Sequence, residues 1–174
     1  MISVKTHKVM NVSDKTIESA NNSNYQPTDN QLFLVREIDK LLSPKKEILS
    51  NSMLSDSQRF NQVNQLYIKA EAWLLATSDD KKVYSTLLNL WGRFLNQCDA
   101  YSDAEQVFLK KVRVDEQLYG AEHEETAYTY DKLGSVYELL DKGQQALDCY
   151  YKELAIREKV LGPNHLLTAD SLHR

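Results

Sequence analysis

The chain has 174 residues, of which only 5 are Gly and 3 are Pro, well under the roughly 12% that the two together average. Tight turns draw on these residues, so their scarcity excludes an all-β sandwich or barrel, a glycine-rich phosphate binder and a flexible linker protein. A net charge of −4 and a pI of 5.6 argue against a nucleic-acid partner, which calls for a basic face.

The hydrophobic fraction of 42% and charged fraction of 26% are ordinary for a globular chain. No apolar run approaches the roughly 18 residues of a membrane span. Lys5 and Lys8 are not followed by an apolar stretch, so no secretory signal is expected. Two cysteines, Cys98 and Cys149, are too few for a disulfide scaffold and read as buried helical thiols in a reducing compartment. The expected location is the cytoplasm, with signal-independent export as an effector left open.

Residues 1–27, rich in Ser, Asn and Thr, read as a poorly ordered arm. Residues 28–79 read as N-terminal helices that cap the remainder of the chain. Thr28 and Gln31 have the spacing of a capping box, in which each side chain satisfies a free backbone donor. Leu32, Phe33, Leu34, Val35, Ile38, Leu41 and Leu42 recur at helical spacing. Ser43-Pro44 ends that helix, because proline disfavours helical geometry in the residue before it. Pro44 is placed to open a short helix through Leu49. Ser55 and Gln58 form a second capping-box pair ahead of a helix from about Ser57 to Thr77, with Phe60, Val63, Leu66, Tyr67, Ala70, Trp73, Leu74 and Leu75 as its apolar stripe. Another helix is expected from Asp80 to Cys98, with acidic residues complementing its N-terminal dipole.

From there the sequence repeats. Ala104, Lys110, Glu116, Gly120, His123, Thr126 and Ala127 recur 42 positions later as Ala146, Lys152, Glu158, Gly162, His165, Thr168 and Ala169. Gly92 recurs as Gly134, and Phe108 as Tyr150. A fixed period of this size marks stacked helix pairs, each of which buries its apolar face only against neighbours. In one unit, helix A spans about Glu124–Leu140 and helix B about Gln144–Leu161. Gly134 and Ala146 are the small residues that permit close A–B packing, and Tyr137, Tyr150 and Leu154 fill the space. Gly143 is read as closing the A–B turn, and Gly162, followed by Pro163, as the left-handed stop of helix B. Glu153 and Arg157 are read as an exposed pair four residues apart.

The stretch AIREKVLGPNH, Ala155 to His165, followed by Thr168-Ala169, resembles the 42-residue tetratricopeptide repeat of kinesin light chains. Leu133-Gly134, Tyr137, Ala146 and Tyr150 match that family's large and small positions, and Trp91-Gly92, Leu95, Ala104 and Phe108 match them again. The resemblance covers residues 80–174, about two repeats and the first helix of a third. It implies an all-α solenoid of stacked antiparallel helix pairs, a right-handed superhelix. The structural positions it marks are Gly92, Ala104, Phe108, Gly120, Gly134, Ala146, Tyr150 and Gly162. Lys111 and Glu153 depart from it, standing where a small residue is usual, so looser stacking is expected there. By position, Phe60–Thr77 falls where a preceding helix B would be, a degenerate repeat or a cap.

No catalytic set emerges. The Ser-x-x-Lys stretches at Ser43–Lys46 and Ser78–Lys81 fall at expected helix starts, where Ser is a cap. His123 and His165 read as turn residues, and no pair of ligands has zinc-site spacing. Neither a metal nor another cofactor is therefore expected, and no enzymatic activity. The remaining surface is the concave face lined by A helices. Counting from Gly134, it presents Tyr128, Asp131, Ser135 and Glu138, and one repeat earlier Thr86, Asn89, Arg93 and Asn96. The resemblance implies that this face holds an extended protein or peptide partner, with an Asn at the position of Asn89 contacting the partner's backbone. Two other expectations compete: self-association through Leu161, Leu166, Leu167 and Leu172 of the last helix, and a targeting or regulatory part of a longer protein or a secreted bacterial effector.

Overall fold

In a computed structural model, residues 27–172 are described, and within them every regular element is a helix. The expected N-terminal arm lies outside the described residues except for Pro27, as does His173. The helices are α1 Asp29–Leu42, α2 Lys45–Ser50, α3 Asp56–Thr77, α4 Lys81–Gln97, α5 Tyr101–Leu118, α6 Glu124–Leu139, α7 Gly143–Leu161 and α8 Leu166–Leu172. They fall into two compact units, one ending at Ala100 and the other Tyr101–Arg174. This boundary lies one helix beyond the division at 79/80 drawn from sequence, because α4 packs with α3 and α1.

In the first unit, α1 and α2 both lie against α3. Both capping boxes form: the Gln31 and Gln58 amides donate to the Thr28 and Ser55 hydroxyls at 3.2 Å, and each Gln side chain accepts from its cap's amide. Leu34, Val35, Ile38 and Leu42 are buried, as are Phe60, Val63, Tyr67, Ala70 and Leu74. Tyr67 stacks on Trp91 and Phe94 at 6.1 and 5.6 Å, and Phe60 on Phe94 at 5.9 Å, within the range in which ring pairs attract. Phe33 and Leu75 depart from expectation and are exposed. Each is adjacent in sequence to a buried leucine, so the helical period carries it off the core face.

Neither Ser-x-x-Lys serine caps a helix start. Ser43 is the C-terminal cap of α1, its hydroxyl donating to the Lys40 carbonyl at 2.8 Å. Ser78 ends α3, and Asp80 caps α4 by accepting from the Lys82 and Val83 amides.

In the second unit, each helix packs on the next in the chain. Gly134 is needed because a Cβ there would sit 2.6 Å from Cε1 of Tyr150. The close neighbour is therefore an aromatic ring, not the backbone of helix B. The A–B turn also differs from expectation. Its left-handed residue is Asp141 (φ 56°), matched one repeat earlier by Asp99 (φ 59°), while Gly143 opens α7. Asp tolerates this region better than most residues because its short side chain can bond locally. Gly120 and Gly162 do hold positive φ, 99° and 89°, as helix stops. The Thr126 and Thr168 hydroxyls donate back to the carbonyls of these glycines at 2.8 and 2.9 Å. His123 and His165 accept through Nδ1 from the Glu125 and Leu167 amides at 3.1 and 3.3 Å. Both imidazoles thus order the B–A connection.

Lys111 and Glu153 are both buried, and each faces a charge four residues on. Lys111 pairs with Asp115 at 2.5 Å, and Glu153 with Arg157. The Glu153–Arg157 pair is therefore not an exposed surface contact. Its carboxylate is sealed between α7 and α8, and partnered charge replaces the expected slack in packing.

Candidate partner-binding helix rows

On α4, Asn89, Arg93 and Asn96 follow one another at helical spacing, with Leu87, Leu88, Leu90, Trp91, Phe94 and Leu95 buried around them. Both asparagine side chains are half-buried, and the Oδ1 of each is shielded from water with no hydrogen-bond partner. A buried polar atom left unmade costs about 1–3 kcal/mol, so such atoms are uncommon; Arg59 Nε, Glu153 Oε2 and Arg157 Nε are others among the described residues. Arg93, half-buried between them, acts electrostatically on the Tyr67 phenol.

The corresponding row on α6 is different in kind. Asp131 is buried and bound by Lys132 Nζ at 2.8 Å. The same ammonium lies 4.9 Å from the centre of the Tyr128 ring, a cation–π contact. Ser135 donates to the Asp131 carbonyl at 3.1 Å. The Tyr150 hydroxyl donates to Glu138 Oε2 at 2.7 Å and lies 3.4 Å from Ser135 Oγ. Burial pushes the Tyr150 phenol up to about 12, the Glu138 carboxylate adding to it, so it stays a donor at neutral pH. Of this row only Glu138 is exposed, and Tyr128 is half-buried.

Lys132 and the Tyr150 hydroxyl do not stand out in the sequence as members of this row. The Tyr128/Lys132 spacing of four is a usable signal for the first. The Tyr150–Glu138 bond depends on how α7 lies on α6, which no local pattern reveals. Lys45 is equally inconspicuous: it is buried at the start of α2, donating to the Tyr67 hydroxyl at 3.0 Å. Burial pulls its ammonium down to about 8, with Asp39 opposing. Cys98 and Cys149 are free and buried, and burial pushes the thiols up to about 12 and about 11, which suppresses nucleophilic thiolate. Among the described residues no group of three or more His, Cys, Asp and Glu is placed to hold a metal, and no described helix is long and apolar enough to cross a membrane.

Residues 129–174, which hold the Gly134–Tyr150 contact and the Gly162 stop, match the family model for the tetratricopeptide repeat. This segment is similar to a tetratricopeptide repeat. Such repeats generally mediate protein–protein interaction. Among solved structures the chain resembles BtubC (BKLC) from P. vanneervenii, with a TM-score of 0.59 at 14% identity. The match covers 92% of this chain and 58% of that one, so the chain spans little more than half the length of that relative. At this identity the likeness establishes the fold, an all-α tetratricopeptide-like solenoid of helix pairs adjacent in sequence. No curated protein matches the sequence.

Proposed function

We propose that the chain is a non-enzymatic interaction module that holds an extended segment of a protein partner on the polar row of α4. The observation that carries this is the pair of buried, unpartnered amide oxygens of Asn89 and Asn96, seven positions apart on one helix face. An extended peptide offers backbone N–H groups that such oxygens accept, and Asn can also donate to peptide carbonyls. The kinesin light chain-like motif Ala155–His165 supports the same reading by analogy.

The α6 row contributes differently. Asp131 and Ser135 act inside the repeat, and Glu138, held by Tyr150, is the carboxylate offered to solvent. Each row is assigned on its own helix, and the capture role rests on α4.

Selection of a random displayed peptide library on the full chain tests this, followed by titration of the enriched peptide. Asn89→Ala with Asn96→Ala is expected to weaken that peptide about tenfold or more, two lost hydrogen bonds of roughly 1 kcal/mol each. An enriched peptide that binds the double variant with unchanged affinity, or a selection that enriches nothing, contradicts the assignment.

Self-association is the second reading, favoured by Leu166, which is 73% exposed on α8. Sedimentation over a range of concentrations distinguishes it. Leu166→Glu is expected to abolish any dimer, and a chain that sediments as a monomer throughout ends this reading.

A further inference from the structure

The two repeats of the second unit share a buried polar triad with its charges exchanged. In the first, Lys111 Nζ donates to Asp115 Oδ2 and, at 3.0 Å, to Thr129 Oγ1, and the Thr129 hydroxyl lies 2.6 Å from Asp115 Oδ2. In the second, Arg157 pairs with Glu153 and donates at 2.8 Å to Ser171 Oγ, and the Ser171 hydroxyl donates to Glu153 Oε1 at 3.0 Å. The separations along the chain are the same: 4 within helix B, then 14 and 18 to the hydroxyl. All six side chains are buried. The base comes first and the acid second on α5. On α7 the order is reversed.

We infer that the ion pair on each helix B is a docking site for the following helix A, and that it recognises a Ser or Thr hydroxyl, which fits either order of charges. On α5 the occupant is Thr129 of α6, and on α7 it is Ser171 of α8.

The reason is the chemistry of the hydroxyl. It is the smallest side-chain group that both donates and accepts. One lone pair takes the cation's N–H and its hydrogen goes to the carboxylate, whichever position bears which charge. The hydroxyl has one hydrogen, and a carbonyl four residues back competes for it: Glu125 at 3.1 Å for Thr129 and Leu167 at 2.9 Å for Ser171. The carboxylate is the stronger acceptor because it is charged. With the hydroxyl gone, each ion pair loses its side-chain partner on the following helix; on α7, where Glu153 Oε2 and Arg157 Nε already lack a hydrogen bond, a buried network left further unsatisfied is costly.

The site matters most for α8. That helix has seven residues, too few to hold together by itself in water. Among its described side chains Thr168 and Ser171 are buried, while Leu166 is exposed. Arg157 also donates to the Leu167 carbonyl at 3.2 Å. α8 is therefore tied to α7 by polar contacts through Arg157, Glu153 and Ser171.

The two sites differ in one respect. Burial pushes the Glu153 carboxyl above the usual carboxylate range, and Arg157, the Ser171 hydroxyl and Lys132 of α6 oppose that shift. Reversal of charge at 153/157 therefore meets an opposing ammonium.

Thermal melting of the full chain tests the inference on α5. Lys111→Glu with Asp115→Arg, which copies the α7 order, is expected to melt within about 4 °C of the parent. Lys111→Glu alone, with two buried acids adjacent, is expected to fall by about 10 °C or more. A double variant that melts as low as the single one overturns the inference. Amide exchange at Leu167–Leu172 tests it on α7 without requiring unfolding. Ser171→Thr is expected to keep the protection of α8, and Ser171→Ala to lose most of it. Equal protection in the two variants would show that the hydroxyl is not what is recognised.

Discussion

The two units differ in the kind of polarity they bury, ion pairs in one and mostly neutral groups in the other. In Tyr101–Arg174, buried charges meet opposite charges: Lys111 with Asp115, Glu153 with Arg157, and Asp131 with Lys132, although Glu153 Oε2 and Arg157 Nε are left without a hydrogen bond. In the unit ending at Ala100, Lys45 is buried against a phenol with the Asp39 charge acting on it, and the amide oxygens of Asn89 and Asn96 meet no hydrogen-bond donor. Self-contained polarity stabilises a stack and leaves little for a partner. Polarity left open weakens the fold locally and gives a partner something to complete. On the proposed reading, capture falls to the first unit.

Removal of one charge from the second unit should break the contrast most violently. Asp115→Ala strands the Lys111 ammonium and is expected to destabilise the chain by about 3–5 kcal/mol in chemical denaturation. A loss under about 1 kcal/mol would mean that water reaches the site.

The first unit should respond with the opposite sign. The Lys45 ammonium is held at about 8 from a reference of 10.5, so the folded state binds this proton less readily than the unfolded chain. Stability linked to Lys45 is therefore lowest below pH 8 and rises as pH increases from 8 towards 10. Above about 10 the trend reverses, because Tyr67, Tyr84 and Tyr130 are raised by burial and the unfolded chain ionises its phenols first. Lys45→Met should stabilise the chain at neutral pH by up to about 3 kcal/mol and flatten the rise between pH 8 and 10. An unchanged slope would show that the ammonium is solvated.

An effect of about 2 kcal/mol is expected from Gly134→Val, because its Cβ collides with the Tyr150 ring and side chains so crowded must leave their preferred rotamers. The displaced phenol should also release Glu138, visible as a fall in the Tyr150 titration from about 12. A variant that melts like the parent would mean that the ring swings aside freely.

Asn96→Ala should change least. It removes a buried oxygen that bonds to nothing, so stability should hold within about 0.5 kcal/mol or rise slightly. A loss above about 1 kcal/mol would reveal an internal role for that amide.

Much of the fold is legible in the sequence, for physical reasons. The capping boxes at Thr28 and Ser55, the stops at Gly120 and Gly162, and the small positions Gly134 and Ala146 are local or repeat at 42 residues, so period and propensity reach them. The row Asn89–Arg93–Asn96 follows from helical spacing alone. Spacing could not show that Glu153 and Arg157 lie inside, because charges four apart read alike on a surface and under a neighbouring helix. Nor could it show that Asp141, not Gly143, takes the left-handed turn, since Asp at that position is equally compatible with an ordinary helix end.

The most direct test of the capture role follows the side-chain amide resonances of Asn89 and Asn96 by NMR while a library-selected peptide is added to the full chain. Both should shift in proportion to occupancy, while the Asp131 and Lys132 signals of α6 stay in place. Shifts confined to α6, with both asparagine amides unmoved at saturation, would contradict the account.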